Sequence, residues 1–115
     1  MLAMQTKVVK LDSAEPDHSV LVEAAKLVDS GALVAFPTET VYGIACRVAN
    51  NSLKNLSTVK GRPANKYYTL HIAESSQVHK YVPQIGLRAA KLVQNAWPGP
   101  LTIVFELDDN SLEKI

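Results

Sequence analysis

The sequence is short of most features that mark a specialised chain. Its 115 residues include one cysteine, two methionines and five glycines, and aromatic side chains make up 6%. The lone Cys46 has no internal disulfide partner and excludes a cysteine-built zinc cluster. A reducing compartment is the simple reading, and a cytoplasmic location is expected. No stretch of eighteen apolar residues occurs, so no membrane span is expected. The amino terminus, Met1 to Leu11, lacks the apolar core and the small-residue cleavage site of a signal peptide, and Met4 offers a second start. Twelve Lys or Arg against eleven Asp or Glu leave a formal charge of +1, which excludes a basic nucleic-acid arm and an acidic tail. Neither G-x-x-x-x-G-K-[ST] nor G-x-G-x-x-G is present. His18, His71 and His79 are too scattered for a metal-ligand pattern, and Cys46 has no His or Asp beside it in sequence to activate it. No catalytic nucleophile is assigned.

What remains is ordinary globular composition, 47% hydrophobic and 20% charged. The length suits one domain or part of one, and a chain of this size buries about two thirds of its unfolded surface when complete. Residues 6–11 predict a strand. Residues 19–30 predict a helix, with Val20, Leu21, Ala24, Leu27 and Val28 on one face, Asp17 or Ser19 as its cap and Gly31 past its end. Residues 32–36 form a short apolar run that suits a buried strand. A second helix is expected over 52–60, on a stripe of Leu53, Leu56 and Val59, ended by Gly61 and Pro63. Strands are expected at 67–73 and 101–106, a helical turn at 76–81, a helix at 84–96, and a further helix start in 108–115. Strands alternating with helices predict an α/β fold, a twisted mixed sheet flanked by helices.

Two segments carry chemistry-bearing side chains. The first is Phe36-Pro37-Thr38-Glu39-Thr40-Val41-Tyr42-Gly43, dense in hydroxyls directly after a predicted strand. Ligands bind open α/β sheets beyond strand carboxyl ends, so this segment suits a small polar molecule. The plainer reading is a turn whose hydroxyls satisfy its own backbone. The second is Lys60-Gly61-Arg62-Pro63-Ala64-Asn65-Lys66. From Cys46 to Ala73 there are five basic residues, Arg47, Lys54, Lys60, Arg62 and Lys66, and no acidic one, a local +5 concealed by the global +1. Arg offers a planar fork to phosphate oxygens and Lys a mobile charge. The plainer reading is a solvated surface, with Lys60 favouring a helix carboxyl end. His71 shares a predicted strand face with Thr69 and is either a structural histidine or a ligand contact.

Four segments in order resemble the YrdC-like family of threonylcarbamoyl-AMP synthases. They are Gly31 to Gly43 (GALVAFPTETVYG), Lys60 to Pro63 (KGRP), Leu70 to Ala73 (LHIA) and Trp97 to Thr102 (WPGPLT). The resemblance runs from about Val20 to Phe105. It implies an adenylate made from L-threonine, bicarbonate and ATP, with pyrophosphate released, Mg²⁺ accompanying the nucleotide, and tRNA-modification enzymes acting downstream. It implies that Thr40 and His71 contact threonine, with Thr38 and Tyr42 shaping that pocket. It implies that Arg62 and Lys66 contact ATP, with Lys60 meeting phosphate. The chain departs from the family in two places. Lys66-Tyr67-Tyr68 stands where many relatives have a basic or amide residue followed by Pro-Leu, and the family's later Ser-Ala-Asn motif does not occur. The chain is therefore expected to hold the amino-terminal portion of a single domain, residues 1–115, with half a site and its carboxyl-terminal half absent. Competing expectations are an RNA-binding module using the +5 stretch with Tyr67 and Tyr68, and an inactive remnant with an exposed final strand. A third is a module of a carbamoyl-transferring maturation factor, whose zinc-finger and acylphosphatase-like segments are not found here.

Overall fold

The computed structural model describes residues 6–63 and 66–113. Two compact units divide the chain, residues 1–66 and 67–115. In the first, α1 (His18–Asp29) leads into β1 (Val34–Phe36), β2 (Gly43–Ala45) and α2 (Asn50–Lys60). The second holds a 3-10 helix (Ser75–Lys80), α3 (Leu87–Ala96) and a short α4 (Asp109–Glu113).

The helix signals in the sequence work as chemistry predicts. Asp17 is the amino cap of α1, its carboxylate accepting from Ser19 N at 2.9 Å and Ser19 Oγ at 2.7 Å. At the other end Gly31 N donates to Val28 O and Ala32 N to Leu27 O, both at 3.0 Å. This paired bonding requires a left-handed residue, and Gly31 supplies it at φ 98°. Gly61 repeats the device after α2 at φ 63°, with Gly61 N on Thr58 O and Arg62 N on Ser57 O. Helix α3 starts at Leu87 rather than 84, because its cap Gly86 is extended at ψ 163°.

The sheet is smaller than expected. Among the described residues it has two strands, β1 and β2, antiparallel, with Val34 opposite Ala45 and Phe36 opposite Gly43. The mixed sheet predicted from sequence is corrected to a small α/β unit with a two-stranded ribbon and several helices. Residues 6–11, 67–73 and 101–106 are not in strands. Residues 101–107 keep the expected alternation, with Ile103, Phe105 and Leu107 half-buried between exposed neighbours. A strand, however, is defined by the ladder it makes, and a periodic segment without a partner is not one.

Burial is thin. Leu56, at 4% exposure, and Ser52 anchor the first unit, and Val78 and Val82 the second. Helix α1 packs on β1. Its predicted apolar face is only half realised, since Val20, Ala24 and Val28 are half-buried while Leu21 and Leu27 stay exposed.

Candidate functional site

The hydroxyl-rich segment is the six-residue connection of the β1–β2 hairpin. It lies beyond the carboxyl end of β1, as expected, but its strands are antiparallel, so it is a hairpin loop and not a crevice between parallel strands. Phe36 faces Gly43 across the ladder, and a methyl group at Gly43 would meet Phe36 Cζ at 3.3 Å. The ring thus lies close over the glycine, and a side chain there would require it to give by a few tenths of an ångström.

Thr38 organises this loop. Its Oγ1 accepts from Thr40 N at 3.3 Å and Val41 N at 3.1 Å, and its hydroxyl donates to Val41 O. The plainer reading of the sequence therefore describes Thr38 well: its hydrogen-bonding capacity goes to its own backbone. Thr40 Oγ1 stands 3.4 Å from Thr38 Oγ1. Thr40 is itself exposed. Tyr42 is 81% exposed.

The basic turn is built differently. The paired bonds around Gly61 fix the backbone of Arg62 against Ser57, and Lys66 N donates to Pro63 O at 3.1 Å. Backbone bonds close the main chain of this turn. Lys60 ends α2 and is exposed, Arg62 is half-buried, and Lys66 is exposed. Ala64 and Asn65 of this motif lie outside the described residues. One member of the +5 stretch has a structural task that sequence reading missed: Arg47 Nη1 donates to Asp29 O at 3.2 Å. A guanidinium there satisfies a carbonyl at the negative end of α1. No spacing rule reaches across the 18 residues between them.

Thr38, Thr40, Tyr42, Lys60, Arg62 and Lys66 all belong to the first unit, and His71 to the second. His71 is exposed and lines a hollow of about 280 Å³ with Ile72, Ala73, Gln77, Lys80 and Tyr81. The Cys46 thiol is half-buried, and burial pushes its pKa up, which keeps it protonated and a poor nucleophile. Among the described residues no group of three or more His, Cys, Asp or Glu side chains is placed to hold a metal ion. The Mg²⁺ implied by the family resemblance thus finds no protein ligand set among them. No described helix is long and apolar enough to cross a membrane.

Comparison with known proteins bears on these features. The family model for Sua5_yciO_yrdC, described as "Telomere recombination", matches residues 26–115. A threonylcarbamoyl-AMP synthase of Pyrococcus abyssi is 43% identical over 82 residues, which are 70% of this chain and 24% of that protein. Those of Halorhodospira halophila and Vibrio vulnificus are 38% and 37% identical, covering 70% and 75% of this chain and 43% and 48% of theirs. The chain thus spans between a quarter and a half of the length of these relatives. No solved structure matches it. The match covers both the hydroxyl loop and the basic turn, and on that extent the chain belongs to the Sua5/YciO/YrdC family.

Proposed function

We propose that the chain carries the amino-acid and phosphate-binding face of an L-threonylcarbamoyladenylate synthase. In that reaction the threonine amine and bicarbonate condense to a carbamate and release water. A carbamate oxygen attacks the α-phosphorus of ATP, the α–β bridging bond breaks, and pyrophosphate leaves. The product serves threonylcarbamoyladenosine formation on tRNA.

The observation that carries this reading is the pairing, within one unit and one family match, of an exposed Thr40 on the hydroxyl loop and a backbone-locked cationic turn at Arg62. Thr40 orients threonine through its hydroxyl, and His71 is a second contact to the amino acid. Thr38 acts by holding the loop that presents Thr40, and Tyr42 flanks it. Arg62, Lys60 and Lys66 take the phosphates, where negative charge grows as pyrophosphate departs. Positioning supplies much of the remainder. No protein nucleophile is needed, in keeping with the raised pKa of Cys46.

The test is to supply the chain with ATP, bicarbonate and labelled L-threonine, following pyrophosphate release and ATP binding in parallel. Pyrophosphate release that needs all three substrates establishes an active chain. Saturable ATP binding that is lost in Arg62→Ala, without turnover, establishes a half-site. Absence of both overturns the proposal. A second reading, an RNA-binding surface, draws on the 92% exposure of Tyr67 beside Lys66. It predicts RNA affinity that falls steeply with salt and does not respond to threonine.

A further inference from the structure

The 3-10 helix of the second unit arranges its side chains in a way the family assignment does not use. With three residues per turn, positions three apart eclipse one another, so Gln77 and Lys80 stack on one face and Val78 and Tyr81 on the next. Val78 is buried, and this fixes the rotation of the helix. Gln77 is fixed as well. Its Oε1 accepts from Ala73 N at 2.8 Å and Glu74 N at 3.1 Å, which ties the 71–73 segment to the face bearing Lys80. An amide whose oxygen is held by two donors presents its NH₂ in a set direction, as a donor awaiting an acceptor. The Lys80 ammonium lies over the Tyr81 ring, 5.7 Å from its centroid, which restrains an otherwise mobile cation.

These groups and His71 line the hollow of about 280 Å³, and among the described residues no carboxylate lines it. An open hollow lined by a fixed amide donor, a cation, an imidazole and a phenol offers donors to an anion. Its size lies at the small end of ligand pockets, which run from about 300 to 1,000 Å³, and suits an amino acid. We propose that Lys80 and Gln77 form a carboxylate subsite beside His71, which holds the carboxylate of the amino-acid substrate. The inference rests on the reading of His71 as an amino-acid contact and assigns the group that fixes the other end of the ligand.

The experiment is a titration of the ¹⁵N-labelled 115-residue chain at constant ionic strength with L-threonine, with threoninol (which lacks the carboxylate) and with inorganic phosphate. The expected result is saturable amide shifts at Ala73, Gln77, Lys80 and Tyr81 with L-threonine, and none with threoninol. Lys80→Gln weakens that binding about tenfold, the effect of losing one hydrogen bond to a charged group, and Lys80→Arg retains it. Gln77→Glu keeps the acceptor for Ala73 N and Glu74 N but places a negative charge where the donor was. It abolishes the shifts while the circular dichroism spectrum stays that of the parent. Equal shifts with threoninol, binding of phosphate alone, or indifference to Lys80→Gln overturns the assignment. Failure here is separable from failure of the proposed reaction. The subsite is read by carboxylate-dependent shifts in the second unit, whereas the reaction is read by ATP binding at Arg62 and pyrophosphate release.

Discussion

The hydroxyl loop and the basic turn are alike in sequence and opposite in construction. Both follow a regular element, both are rich in polar side chains, and both carry the family resemblance. In the loop, a side chain closes the backbone: Thr38 takes two N–H groups and gives its proton to Val41 O. In the turn, backbone bonds from Gly61 and Arg62 close the chain. Polar residues near a ligand divide into those that build the turn and those the turn presents. Which is which depends on whether a glycine is present to accept the left-handed angle.

That contrast yields predictions that can break it. The largest effect belongs to Arg62→Ala. ATP affinity falls about tenfold to a hundredfold, as expected for losing hydrogen bonds to a charged group, while the far-ultraviolet dichroism of α2 is retained. Equilibrium dialysis against nucleotide checks it, and unchanged affinity would remove the turn from the site. Next is Thr38→Val, which leaves Thr40 N, Val41 N and Val41 O without their partner. Stability drops by about 1–2 kcal/mol in urea melts, with threonine affinity falling alongside. Thr40→Val, by contrast, lowers threonine affinity and leaves the melt unchanged. Were the two variants to behave alike, the division of labour in the loop would be wrong.

A smaller effect is expected for Gly61→Ala. Nothing lies within 4 Å of the added methyl group, so the cost is that of a left-handed alanine alone, about 1 kcal/mol by urea melt. The smallest effect is a pH dependence. Hydrogen bonds from the Ser19 side chain and backbone hold Asp17 below its ordinary value of 3.8. Such a depressed carboxyl stabilises the folded state above its unfolded pKa, and that contribution is lost as pH falls through the lowered folded value. Helicity of α1 in the parent therefore declines at acid pH more than in Asp17→Asn, measured by circular dichroism between pH 5 and pH 2 (a range set by the ordinary carboxyl pKa of about 3.9).

The helices were legible because their signals are local. Asp17 before the first apolar position and Gly31 after the last each act within four residues, and the cap and the paired bonds followed. The strands were legible only as candidates. Residues 34–36 found a partner in 43–45, whereas 101–107 shows the alternation without a ladder. Leu21 and Leu27 read as core, yet burial depends on what arrives from elsewhere, and they remain exposed. At the site, the residue types and their grouping were visible, while the task of each was only partly so. Thr38 read as a residue shaping the pocket around Thr40, with its bonds to Thr40 N and Val41 N unseen, and Arg47 read as one more member of the basic stretch.

By itself the sequence determined the capped helices, the two glycine-closed turns and the family, because each depends on residue identity within a few positions along the chain. Tertiary structure decided which extended segments became strands, which apolar residues found cover, that Arg47 serves the end of α1, and that Gln77 and Lys80 share a hollow with His71. Those outcomes rest on groups brought together across space, where spacing in the chain carries no information.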